Sequence, residues 1–275
     1  MSADWLGKPH IKLIDDSEGI AYVAEGQGPT LLLVHGSLCD YRYWEPQLRS
    51  LANRFHVVAP SLAHYHPRLP SAGHHPFSWY WHVQQLARFI QRSDFGRVHL
   101  LGHSRGAAVA WRLAVQHPEL LSSVTLLDPG GPQGEATHFP PEVEALRTEA
   151  VRLIEVGQVD DGLRLFVDSV SRQGFWDRGG ENFREMARDN AATLAPQLRD
   201  MLPRYWAEEA RRCKLPVLLM DGERSPKMYR DNADFLQQSL PRVTRRTIAG
   251  ASHGMSFTHV TRVNTAIVEF IASLG

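Results

Sequence analysis

The sequence predicts an α/β fold: a mostly parallel sheet of about eight strands flanked by helices, interrupted late in the chain by a helical insertion. Three observations carry this expectation. Short apolar runs of strand length recur along the chain, stretches of helical spacing separate the later ones, and the segment 133–212 breaks the alternation with helical spacing alone. Strands that alternate with helices are joined by crossovers, which makes them parallel and covers both faces of the sheet.

The elements follow in order. Ile11 to Ile14 and Ile20 to Val23 are separated only by Asp15 to Gly19, too short for a crossover helix, and predict an antiparallel hairpin at the sheet edge. Leu31 to Val34 and Phe55 to Val58 are the next strands, followed by a helical stretch, Phe77 to Ile90. Val98 to Leu101 leads into helical spacing from Ser104 to His117, and Val124 to Leu127 closes this half. Pro129-Gly130-Gly131-Pro132 is turn chemistry and marks the start of the insertion; Lys214-Leu215-Pro216 marks its end. Between them Pro141 to Val156, Gly162 to Val170 and Asn182 to Leu194 read as helices, so a helical cap over 133–212 is expected to interrupt a core formed by 1–132 and 213–275. The pattern then resumes with strand Val217 to Met220, helix Met228 to Leu240, strand Val243 to Ile248 and helix Phe257 to Ile271.

Composition narrows the partners. At 275 residues, with 43% hydrophobic and 22% charged residues, the chain has a sizeable core to bury and no compositional support for disorder, collagen or coiled coil. Thirty Lys plus Arg balance thirty Asp plus Glu, so the basic excess that binds nucleic acid or an anionic membrane is missing. Cys39 and Cys213 are too few for a disulfide framework, and the opening residues Met1 to Pro9 lack the apolar run of a signal peptide. A soluble, cytoplasmic protein is the expectation, with oligomeric state left open and no cofactor or metal called for. His64-x-His66, with His74 and His75 further on, has no carboxylate or cysteine at ligand spacing, and a pocket rim or solvated loop is the reading.

The informative segment runs from Val98 to Ala108, a strand, then Gly102-His103-Ser104-Arg105-Gly106, then a helix. A sharp strand-to-helix turn brings backbone segments so close that side chains at Gly102 and Gly106 would obstruct them, and it lifts Ser104 above the sheet at a helix N-terminus, where developing negative charge is favoured. In this frame the chain resembles the α/β-hydrolase family over essentially its whole length and in the family's order of elements. The resemblance implies a serine nucleophile at Ser104 and a general base at His253, in Gly250-Ala251-Ser252-His253-Gly254 between the last strand and the final helix. A serine hydroxyl needs such a base within hydrogen-bonding reach.

The sequence departs from the commonest family pattern at the acid. Three residues beyond Gly222, where the family often carries a carboxylate, stands Ser225. Some relatives place the acid at the end of the preceding strand, and Asp128 in Leu127-Asp128-Pro129 occupies that position; Asp221 and Glu223 are the alternatives. The acid's task is to fix the histidine tautomer and stabilise the imidazolium. The main-chain N–H of Arg105 and that of Ser37, in a His35-Gly36-Ser37-Leu38 loop that resembles the family's His-Gly loop, are expected to form the oxyanion hole, with Leu38 close behind Ser37. Cys39 reads as a small buried thiol.

Relatives that open epoxides or remove halides carry an aspartate at the elbow, so Ser104 argues for attack on a carbonyl. The expected function is hydrolysis of a carboxylic ester, lactone or thioester of a small, fairly apolar substrate through an acyl-enzyme. Phe175, Trp176, Tyr205 and Trp206 are candidates for the pocket wall or the cap's own core. Two other readings stay open: carbon-carbon hydrolysis of 1,3-diketone ring-cleavage products, and ligand sensing with little turnover. Activity is expected to fall as His253 is protonated below about 6.5.

Overall fold

The computed structural model describes residues 12–14, 20–69, 75–134 and 141–275. Seven strands of five to seven residues and a three-residue edge strand form a single sheet: β1 (Lys12–Ile14), β2 (Ile20–Glu25), β3 (Thr30–Val34), β4 (His56–Pro60), β5 (Val98–His103), β6 (Leu121–Leu127), β7 (Val217–Gly222) and β8 (Val243–Ile248). Their spatial order is β1-β2-β4-β3-β5-β6-β7-β8. β1 pairs antiparallel with β2, which pairs antiparallel with β4; every other pairing is parallel. The edge hairpin expected from the short spacing is therefore present, and its turn, 15–19, lies outside the described residues, as do Ile11 and His74.

The central strands are buried on both faces, which is why they read as continuous apolar runs. Their alternate side chains feed two cores. Leu32, Val34, Leu100, Leu126 and Leu219 point to one side, with helices α2 (Trp79–Arg92) and α3 (Arg105–Gln116) packed over them, while Leu31, Leu33, Leu101, Leu127 and Leu218 point to the other, under α1 (Glu45–Leu51). Ser78 caps α2 by accepting the N–H of Trp81 at 3.1 Å. Of the aromatic cluster at its start, Phe77 and Trp79 pack on the core, Trp81 stacks on His75, and Tyr80 is 55% exposed.

Between β6 and β7 the described residues contain no named strand. They form α4 (Pro141–Glu155), α5 (Val159–Val170), α6 (Phe175–Arg178), α7 (Glu181–Asp189), α8 (Leu194–Arg199) and α9 (Ala207–Arg212). Gln133 and Tyr205 form an isolated β-bridge, so the chain leaves and re-enters the sheet layer at neighbouring points. Ala150, Leu163, Phe166, Trp176, Ala187 and Leu194 make a third core, whose member outside the insertion is Leu38. Beyond β7, α10 (Lys227–Ser239) precedes β8, and the predicted last helix is two, α11 (Met255–Thr258) and α12 (Val260–Ala272). No helix among the described residues is long and apolar enough to cross a membrane.

Candidate active site

Ser104 sits between the C-terminal end of β5 and the N-terminus of α3 with φ 56° and ψ −120°, a strained backbone conformation for a residue with a side chain. The two glycines around it are sterically required. A Cβ on Gly102 would meet the Gly106 carbonyl oxygen at 2.3 Å, and a Cβ on Gly106 would meet the His35 carbonyl oxygen at the same distance. The turn is held by the Ser104 N–H donating to Leu127 O at 3.0 Å and by Gly130 N–H donating to Ser104 O at 3.2 Å.

His253 lies in the loop before α11, and its Nδ1 is 3.0 Å from Asp128 Oδ2. Asp128 directly follows β6, fully buried, with φ 41°. Its Oδ2 also accepts from Ser225 Oγ at 2.6 Å, and its Oδ1 faces the Gly222 N–H at 3.3 Å. Burial pushes the carboxyl up to about 7, and the Ser225 hydroxyl pulls the other way. Burial pushes the His253 imidazole down to about 3, reinforced by the positive charge of Arg147. Burial thus favours the neutral imidazole. The Tyr229 ring stacks on the imidazole with centroids 4.1 Å apart and planes 16° from parallel. Among the described residues no hydrogen bond joins Ser104 directly to His253; catalytic hydrogen bonds are often long in the absence of substrate and tighten in its complex.

Ser104 and His253 face one cavity of about 410 Å³, within the range of small-molecule sites. Ser37, Leu38 and Arg105 line it, as do Phe166, Val167, Val170 and Phe175 of the segment between β6 and β7. As the first residue of α3, Arg105 has a main-chain N–H with no acceptor inside its own helix. The remaining presumed pocket aromatics divide: Trp176 is buried in the insertion's core, Tyr205 is buried with its hydroxyl donating to Gly130 O at 2.9 Å, and Trp206 is 36% exposed. Cys39 is buried beside the cavity, where desolvation pushes its thiol well above the ordinary range. His64 contacts the His75 carbonyl oxygen through Nε2 at 2.9 Å, and no group of three His, Cys, Asp or Glu residues suited to a metal ion occurs among the described residues.

Residues 31–266 match the family model described as the alpha/beta hydrolase family. The chain belongs to the alpha/beta hydrolase family. It is 27% identical over 266 residues to a pimeloyl-[acyl-carrier protein] methyl ester esterase of Methylococcus capsulatus, a match that covers 93% of this chain and 99% of that protein. It is 32% identical to a fluoroacetate dehalogenase of Burkholderia sp, but over 109 residues, 38% of this chain and 36% of that protein, so that match spans about a third of the relative. Among solved structures, the naproxen esterase of Bacillus subtilis aligns with a TM-score of 0.78 at 16% identity, covering 96% of this chain and 92% of that one, a likeness of fold.

In this alpha/beta hydrolase the two alternative acids are engaged elsewhere. Asp221 forms a paired ion contact with Arg245, Nε to Oδ1 and Nη2 to Oδ2 each at 3.0 Å, and accepts from Thr247 Oγ1 at 3.1 Å. Glu223 accepts the Gly250 N–H at 2.7 Å on the surface. The sequence reading did not find Ser225 or Tyr229 as members of the site. Ser225 was legible only as a missing acid; its hydroxyl supports the carboxylate that β6 supplies. Tyr229 lies on α10 with no motif around it, and only the fold brings it to His253.

Proposed function

We propose that this protein is a serine hydrolase that cleaves a carboxylic ester, or a lactone or thioester, of a small and fairly apolar substrate through an acyl-enzyme. One observation carries the reading: a strained serine at the strand-to-helix turn shares a cavity with a neutral imidazole whose other nitrogen faces a buried carboxylate. Ser104 Oγ attacks the carbonyl carbon while its proton passes to His253 Nε2. The imidazolium is stabilised by Asp128, and the oxyanion is held by the main-chain N–H groups of Ser37 and Arg105. The tetrahedral intermediate collapses, the alcohol leaves with the proton from His253, and water deprotonated by the same imidazole releases the acid and restores the serine hydroxyl.

The helical insertion, 133–212, acts in this scheme as a cap whose apolar side chains take the substrate's hydrocarbon portion. The Methylococcus relative is named for cleaving a methyl ester whose acyl group is borne by a carrier protein, so it supports ester chemistry here and not the size of the substrate. Dehalogenation is disfavoured because relatives that use it place an aspartate where this chain has Ser104. Wild type is expected to turn over short p-nitrophenyl esters, and Ser104→Ala to lose that turnover by about 10⁶-fold while keeping the same thermal midpoint. Equal rates for the two proteins would remove the serine from the reaction. Stoichiometric ligand binding without turnover in wild type would favour a sensor.

A further inference from the structure

The two residues whose main-chain N–H groups would hold the oxyanion are both gripped, through their side chains, by one element of the insertion. Ser37 Oγ donates to Gln197 Oε1 at 2.6 Å, and Arg105 Nη2 pairs with Asp200 Oδ2 at 2.5 Å. Gln197 lies in α8, and Asp200 is the residue that ends it. The Arg105–Asp200 pair is withdrawn from solvent, with side chains 3% and 12% exposed. Asp200 Oδ2 also accepts the Trp79 N–H at 2.7 Å, so the end of α8 meets the start of α2, the start of α3 and the loop after β3. The Arg105 guanidinium is held from another side by the Phe77 ring, 4.9 Å below its centre.

A buried guanidinium that loses its carboxylate must move or take up water, because an unpaired charge in that setting is strongly destabilising. Its main chain is the amide next to Ser104. The Ser37 hydroxyl and amide are likewise on one residue, so the pull of Gln197 fixes the direction of that N–H. Oxyanion stabilisation is geometric, and displacing a donor by a fraction of its hydrogen-bond length forfeits much of its effect.

We propose that Gln197 and Asp200 are positioning residues that set the oxyanion hole from the insertion, through Ser37 and Arg105, so that the hole is complete only when α8 is seated. This rests on the acyl-transfer reading above. The test uses purified full-length protein and the variants Gln197→Leu, Asp200→Asn, Ser37→Ala and the double variant Ser37→Ala/Gln197→Leu. Measured are kcat and KM on a p-nitrophenyl ester, the inhibition constant of phenylboronic acid, whose serine adduct is tetrahedral, and the thermal midpoint.

Gln197→Leu and Asp200→Asn are expected to lower kcat and to weaken phenylboronic acid by the same factor, about 10- to 100-fold, with KM changed less than about twofold. Ser37→Ala, which keeps the main-chain N–H, should match Gln197→Leu, and the double variant should lose no more than either one. Unchanged kcat, a loss of kcat without weaker boronate binding, or independent effects of Ser37→Ala and Gln197→Leu would overturn the proposal. So would a shared fall in thermal midpoint that accounts for the lost activity as unfolded protein. A wild type that neither turns over esters nor reacts with a fluorophosphonate would instead remove the acyl-transfer reading itself, and the clamp with it.

Discussion

At the residue scale the proposed chemistry turns on how a buried carboxylate is kept facing His253. Asp128 meets three donors there, His253 Nδ1–H, the Ser225 hydroxyl and the Gly222 N–H, and each favours the charged carboxylate that burial disfavours. Asp128→Asn removes the charge and reverses the tautomer preference of the imidazole, so kcat should fall by about 10⁴-fold, whereas Asp221→Asn should leave most activity because Asp221 serves Arg245. In the same assay kcat/KM of wild type should drop about tenfold per pH unit below about 7, where burial sets the first proton uptake of the pair. Steady-state rates from pH 5 to 9 on the three proteins check this; the opposite ranking of the two variants, or a flat wild-type profile down to pH 5, would refute the assignment. Much of this was legible in the sequence, since Ser104 and His253 stand in recognisable surroundings and Ser225 shows where an acid is missing. What separates Asp128 from Asp221 was legible only through the family resemblance, because both lie at the C-terminal side of neighbouring strands and only side-chain direction decides which one faces the imidazole.

At the scale of elements, periodicity located those that are long or wholly buried. The strands β3, β5, β6 and β7 are apolar on both sides because both sides are covered, and their runs could be read directly. Helix α3 starts where the Gly-x-Ser-x-Gly turn ends and buries even Trp111. α1 left no clear signal: it has seven residues with Pro46 near its start, too short to repeat a helical pattern. The single helix expected over Phe257 to Ile271 is divided at His259, whose φ of −134° interrupts the helical backbone between α11 and α12. Side-chain contacts across elements were the least legible of all. Nothing in the local pattern of α8 announces that Gln197 meets Ser37, or that Asp200 meets Arg105, residues far apart in the chain.

Over the whole molecule, burial of histidines ties stability to pH. His35, His82, His103 and His253 are all nearly inaccessible, and burial pushes each below the ordinary 6.5, to about 4 for His35 and about 3 for His103 and His253. His35 shows why they stay neutral: one ring nitrogen contacts the Gly36 carbonyl oxygen at 2.9 Å and the other accepts the Leu62 N–H at 3.0 Å, roles that only a neutral imidazole can combine. Below 6.5 the unfolded chain takes up protons that the folded histidines refuse, so their contribution to stability is complete above 6.5 and is lost as pH falls toward the folded values. Asp128 works in the opposite sense, because its raised pKa lets the folded state bind a proton first. Four groups against one leave a net loss of stability as pH falls from 6 to 5. Urea unfolding at the two pH values should show a clearly lower midpoint at pH 5; an equal or higher midpoint would contradict the assignment of buried neutral histidines.

Covalent labelling of wild-type protein by a fluorophosphonate, followed by mass mapping of the peptides, tests the role of Ser104 most directly. A single adduct on Ser104, absent in Ser104→Ala and formed far more slowly in His253→Ala, is the predicted result. No adduct, or one carried by another residue while Ser104 stays unmodified, would contradict it.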